Sequence, residues 1–174
     1  MAEQPDFIVL KRHRDLEGRE YHIWVRRALC TLLAVVPVLA LFNLFGQKAE
    51  STTLNGDGAR LRLSAPTTVR GGLLFEARFT IEAERELKHA TLVLAPGWAE
   101  GMTINTIEPS PVSEGSRNGN LVLELGHIPA GQRYILFMQF QVNPINVGRS
   151  SQDVALYDGD RRIAVLDRTI SVFP

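Results

Sequence analysis

The side chains best suited to chemistry lie beyond residue 58: His89 and His127, Ser110, Ser113 and Ser116, and Glu76, Glu82 and Glu124. A metal centre draws several ligands from close spacings, yet the chain has no HxH, HExxH or CxxC arrangement. The three serines share one polar stretch, SPVSEGSRNGN, which reads as a solvated flexible loop, and no GxSxG nucleophile elbow is present. Outward carboxylates on strands keep a sheet soluble and its edges unpaired, which accounts for the three glutamates without a paired acid and base. His89 falls on the solvent face of its expected strand and His127 just before a turn. The pattern points away from catalysis and calls for no metal or cofactor.

Binding candidates are more numerous. Trp98 follows Pro96-Gly97 at a strand end, where it either anchors a protein or sugar contact or folds over the end of the core. Ile135 and Phe137 have the opposite parity to Leu136, Met138, Phe140 and Val142, so one strand is apolar on both faces. Either a second layer covers that outer face or it awaits a partner. Cys30 and Ala34 form a small-xxx-small pair, and Asn43 carries an amide that prefers a partner to lipid. These three are candidate contacts for a neighbouring transmembrane helix, with Pro37 as a source of a kink.

The elements that position these residues begin with an anchor. Residues 28–46 read ALCTLLAVVPVLALFNLFG, uncharged and apolar around the whole circumference, and cover roughly 28 Å as a helix, about the thickness of the hydrocarbon core. Cleavage as a signal peptide is the alternative. Against it stand the length of the apolar run and the lack of a small residue three before a cut at Ala49. No cysteine follows the run, which excludes a lipoprotein.

Residues 1–27 carry Lys11, Arg12, Arg14, Arg19, Arg26 and Arg27, while Lys48 is nearly alone beyond the other end, which places the N terminus in the cytoplasm. Tyr21, Trp24, Arg26 and Arg27 are the expected membrane-interface residues. The KRHR run at 11–14 serves orientation first and attraction to anionic lipid second. Asp15 is a candidate N-cap for a helix continuous with the anchor, and the apolar stretch Phe7 to Leu10 a candidate contact with membrane or protein. Lysine plus arginine balances aspartate plus glutamate at 19 each, so no nucleic-acid partner is indicated. The single cysteine lies in the apolar run and leaves the exported part without an internal disulfide, as suits a bacterial envelope protein.

Residues 47–58 are small and polar and read as a flexible linker. From 59 to 174, period-two alternation dominates: Leu73, Phe75, Ala77, Phe79 and Ile81 share one parity, and the pattern recurs at Ala90 to Leu94, Leu121 to Leu125 and Leu136 to Val142. Seven or eight strands are expected, at 59–64, 72–83, 86–95, 102–107, 120–125, 132–142, 152–157 and 161–172. Asp158-Gly159 suits a tight type I′ hairpin before the last of them. The fold class is an all-β, Ig-like antiparallel β-sandwich behind one transmembrane α-helix.

Between about 60 and 143, the order FEARFTIEA, LVLAPGWAEGMTI and LVLELGHIPAGQRYILFMQFQV resembles bacterial surface Ig-like domains of the conserved-repeat type. Pro96-Gly97 stands at the turn that follows a strand in that family. Gly126, Ile128, Ala130 and Gly131 fill its motif ahead of the longest core strand. The chain departs from the pattern at Glu84-Arg85-Glu86, in place of an Asn-Gly type turn, and in having one copy. The resemblance implies a structural or adhesive module and transfers no catalytic residue.

The expected function is therefore a non-enzymatic, single-pass accessory subunit in a bacterial cell membrane, whose anchor and ectodomain dock onto a larger membrane or envelope protein. The alternative is an independent module that recognises cell-wall polysaccharide or a surface ligand through Trp98 and neighbouring loops.

Overall fold

The structure, a computed structural model, describes residues 21–42 and 47–174. The expectations placed on Phe7 to Leu10, on the KRHR run, on Asp15 and on Asn43 lie outside the described residues. Two units are present, one ending at Gly46 and the other running from Gln47 to Pro174.

In the first unit, helix α1 spans Tyr21–Leu41 and contains Pro37. It starts ahead of the apolar run, taking in Tyr21, Trp24, Arg26 and Arg27, the residues expected at a membrane interface. None of its residues is buried, and it is long and apolar enough to cross a membrane.

The second unit is an antiparallel, Ig-like β-sandwich. Its strands are β1 (Ala49–Asn55), β2 (Ala59–Pro66), β3 (Thr68–Arg70), β4 (Leu74–Ala83), β5 (Leu87–Leu94), β6 (Met102–Glu108), β7 (Ser113–Arg117), β8 (Asn120–Ile128), β9 (Arg133–Val142), β10 (Gly148–Ser151), β11 (Val154–Asp158), β12 (Arg161–Leu166) and β13 (Thr169–Phe173). One sheet has the order β1-β2-β4-β9-β6, a second β12-β11-β5-β8-β7, and a short third β10-β13-β3. Among the described residues, the only parallel pair joins β13 to β3.

Alternation decides what each strand buries. On β2 the inward set is Ala59, Leu61, Leu63 and Ala65; on β4 it is Phe75, Ala77, Phe79, Ile81 and Ala83; on β9 it is Leu136, Met138, Phe140 and Val142. Facing them across the core are Leu92, Leu94, Leu123, Leu125, Val154 and Leu156 from the other large sheet. Leu73, grouped by parity with the core, precedes β4 and is exposed.

Five features correct the sequence expectation. The stretch read as a linker contains β1, which pairs along its whole length with β2, from Ala49 opposite Pro66 to Asn55 opposite Arg60. Thr52, Thr53 and Leu54 suit a half-covered edge, and Gly56 to Gly58 form the hairpin turn instead of a tether. The loop read at 110–120 contains β7, turned back onto β8 by Asn118 (φ 53°) and Gly119 (φ 80°), an Asn-Gly pair in the left-handed region that a type I′ hairpin demands. The expected strand 161–172 breaks at Asp167 and Arg168 into β12 and β13, which enter different sheets. The short strands β3 and β10 add themselves to β13. The hairpin between β11 and β12 turns on Gly159 and Asp160, with positive φ at glycine alone, a type II′ arrangement instead of I′.

The Glu84 to Glu86 turn holds its shape without a glycine of its own. The backbone N–H groups of Glu84 and Arg85 both donate to the carbonyl of Gly58 in the neighbouring β1–β2 turn. Asp57 from that turn pairs with both Arg85 and Arg161, which ties three turns together at one end of the sandwich.

Candidate functional site: the partner-binding surfaces

Trp98 is fully buried, so the reading of it as an exposed anchor is corrected: it folds over the core end. A short 3-10 turn over Pro96–Trp98 lets β5 end and swing the indole inward. Gly97 is required there because any side chain would run into the carbonyl of Ser151. The ring stacks at tilted angles on Phe79 and Phe140, with centroids 5.4 and 5.2 Å away, and its Nε1–H donates to the Gln152 carbonyl at 2.9 Å. The Arg168 guanidinium lies 5.5 Å from the indole centroid and donates to the carbonyls of Ala65 and Pro66 and to Gln152 Oε1. Burial pushes the Arg168 pKa down to about 10, with the charge of Glu50 working in the opposite direction. This cluster ties the connection between β12 and β13, and the end of β2, to the tryptophan, with Arg168 itself partly exposed.

The outer face of the β1-β2-β4-β9-β6 sheet carries the second candidate. Phe137 is 36% exposed at the centre of β9 and Ile135 is half-buried. No layer covers Phe137 among the described residues. Instead, the guanidinium of Arg78, its cross-strand neighbour, lies 4.9 Å from the ring centroid, and Arg78 in turn pairs with Glu76 at 3.7 Å. On the other side Glu108 stands opposite Phe137. Glu82, close by, is held by Arg133 at 2.7 Å and by Arg60 at 3.3 Å. The face is thus an aromatic ring framed by arginines and carboxylates, the composition of a protein contact with a small apolar centre and a charged rim.

The third surface was missed in the sequence because it depends on β7. With β7 folded onto β8, the outer face of the second large sheet becomes a groove of about 610 Å³, floored by Val93 and Val122 and bordered by Tyr157, Glu124, Arg117 and Asp160. The Asn118-Gly119 pair was the signal that would have revealed it.

The remaining candidates are ordinary in their surroundings. His89 is exposed on the groove margin, with its backbone N–H donating to Asp158, and His127 Nε2 lies 2.9 Å from Glu86 Oε1 at the surface. Glu76 and Glu82 pair with arginines, and Glu124 borders the groove. No group of three or more metal-ligating side chains occurs among the described residues. On α1, Cys30 and Ala34 are exposed, and Arg27 lies 5.4 Å from the Trp24 ring centroid.

No protein-family model matches the chain, and neither does any curated protein sequence. Among solved structures, similarity extends to the CARDB domain of a Pyrococcus furiosus protein in complex with di-metal ions, at 13% identity over 73% of this chain and 96% of that one, with a TM-score of 0.36. A non-cellulosomal cohesin from Archaeoglobus fulgidus matches at 14% identity over 63% of this chain and 88% of its own, with a TM-score of 0.39. CaCohA2 from Clostridium acetobutylicum matches at 12% identity over 73% and 92%, also with a TM-score of 0.39. Similarity at this level carries no residue role to the present chain.

Proposed function

We propose that this chain is a non-enzymatic, single-pass accessory subunit of a bacterial cell membrane, with its N terminus cytoplasmic and its sandwich outside, docked through anchor and ectodomain onto a larger membrane or envelope protein. The observation that carries the reading is the contrast between the two units. Every core strand of the sandwich finds its apolar partners within the sandwich, while α1 buries none of its residues and is apolar on all sides from Ala28 onward. A helix of that kind takes lipid or other helices as its solvent. The Phe137 face supplies the extracytoplasmic contact, and Cys30 and Ala34, with Asn43, the contact within the bilayer. Kinship with the conserved-repeat Ig-like surface domains belongs to the same proposal, supported by the turn residues Pro96-Gly97 and Gly126 to Gly131.

The test is affinity purification of the full chain from its native membrane in mild detergent, beside a form whose residues 28–46 are replaced by leucine and a Phe137→Glu form. A stoichiometric membrane protein that is lost with either replacement supports the reading. Recovery of the chain alone from all three overturns it.

The groove favours a second reading, recognition of a cell-wall polysaccharide or surface ligand, moved from Trp98 to Tyr157 and its neighbours. Under that reading, Tyr157→Ala lowers retention on isolated envelope polysaccharide at least several-fold and Phe137→Glu does not.

A further inference from the structure

The sandwich has one end that is apolar where a soluble domain would be polar. Leu73 precedes β4 and Leu74 opens it, and they are 48% and 50% exposed; Ile145 and Val147, in the segment after β9, are 88% and 55% exposed; Phe173 at the end of β13 is 54% exposed. The backbone brings them together. Gly72 N–H donates to the Val142 carbonyl and Val142 N–H to the Leu73 carbonyl, Gly71 N–H donates to the Phe173 carbonyl, and Gly71 lies against Pro144. Five large apolar side chains from three separate segments therefore share one tip.

Two further observations identify what covers it. The first strand of the sandwich begins at this same end, with Ala49 opposite Pro66 and Phe173 opposite Arg70. Eight residue steps separate Ala49 from Leu41, the last residue of α1, which limits the covalent reach to roughly 28 Å. The segments that build the tip, residues 66–74, 142–149 and 168–174, carry three arginines, Arg70, Arg149 and Arg168, and no aspartate or glutamate of their own, while Glu50 at the start of β1 and Glu100, next to the Gly101 that holds Asn143 and Asn146, stand at its margin. Arginine close to a bilayer is drawn to anionic headgroups. Exposed leucine, isoleucine, valine and phenylalanine bordered by Arg70 and Arg149 are the composition of a surface that rests in a membrane interface.

We propose that this tip seats itself in the interfacial layer of the bilayer that α1 crosses, so that the sandwich is held against the membrane by Leu73, Leu74, Ile145, Val147 and Phe173 as well as by its tether. The proposal rests on the reading of α1 as a membrane span. Seating the tip fixes which surfaces face away from the lipid: the hairpin turn at Gly159 and Asp160 belongs to the opposite end, and the Phe137 face and the groove stand along the sides, open to a partner in the envelope.

The experiment uses the full chain with Cys30→Ala, reconstituted into phosphatidylethanolamine and phosphatidylglycerol vesicles, with one nitroxide attached at Ile145→Cys, at Asp160→Cys or at Leu33→Cys. Collision with oxygen is compared with collision with a water-soluble nickel chelate. The expected result is an oxygen-to-nickel ratio at 145 several-fold above that at 160 and approaching that at 33. Adding Leu74→Glu and Val147→Glu lowers the ratio at 145 towards the value at 160 while the unfolding transition of the sandwich is retained. Equal ratios at 145 and 160, with 33 still in lipid, overturn the seated tip and leave the anchor standing. An aqueous signal at 33 overturns the anchor, and the tip with it.

Discussion

Trp98 and Phe137 show how two aromatic side chains of similar appearance in the sequence come to opposite ends. Trp98 sits after a Pro-Gly turn, where it reads equally as an exposed anchor and as a lid on the core. Its burial follows from the 3-10 turn and from the carbonyl of Gln152, which gives the indole N–H a partner in the interior. Trp98→Phe keeps most of the ring but leaves that buried carbonyl with one donor fewer, so a loss of about 2 kcal/mol is expected in urea unfolding, against about 3 to 5 kcal/mol for Trp98→Ala. Arg168→Met keeps the stem and removes the donors to Ala65 and Pro66, for an expected loss of about 1 to 3 kcal/mol. Arg168→Lys recovers only part of it, because an ammonium cannot reproduce the planar fork. Phe137 contrasts with this: its ring is partly open to solvent and covered on one side by an arginine, so Phe137→Glu is expected to cost no more than about 1 to 2 kcal/mol while abolishing partner capture. A large loss of stability in that variant would mean that the ring is a packing residue and not a contact.

At the level of elements, β1 and β7 carry the clearest tests, since both occupy segments whose composition is that of loops. Hydrogen exchange distinguishes the two states of 49–55 directly. In an edge strand every second amide bonds to its neighbour, and those amides of β1 are expected to exchange on the order of 100-fold or more slowly than in an unstructured peptide. Uniformly fast exchange over this stretch would restore the flexible linker. For β7, Asn118 holds a positive φ that a β-branched residue resists, so Asn118→Val is expected to cost about 1 to 2 kcal/mol and Asn118→Gly almost nothing. The strands legible in the sequence, β2, β4, β5, β6, β8, β9 and β11, all turn an apolar set toward the core, and that burial is what imprints alternation. Edge strands such as β1, β7 and β10 bury almost nothing and leave polar, threonine-rich or serine-rich sequences with no periodic mark. The groove was hidden for the same reason, since it exists only once β7 is placed. The Phe137 face was legible because two apolar residues broke the parity of a strong strand.

For the whole molecule, orientation across the bilayer is the property on which the other proposals depend. The proposed cytoplasmic N terminus rests on the basic residues ahead of the apolar run at 28–46 and their scarcity after it. The apolar helix passes the same length and hydropathy test as a signal sequence, so retention of residues 1–46 must be measured along with sidedness. Single cysteines in the Cys30→Ala background answer both at once when spheroplasts are treated with a membrane-impermeant maleimide. Asp160→Cys, in an exposed turn of the sandwich, is expected to label in intact spheroplasts and to remain in the membrane pellet at the full mass of the chain. His13→Cys is expected to label only after the membrane is permeabilised. The reverse pattern would invert the topology, place the Phe137 face and the groove in the cytoplasm, and remove envelope proteins and polysaccharides as partners. A shortened, soluble product that labels at Asp160→Cys would show that the helix is removed, in which case the apolar tip loses its bilayer and the sandwich must find its partner by its faces alone.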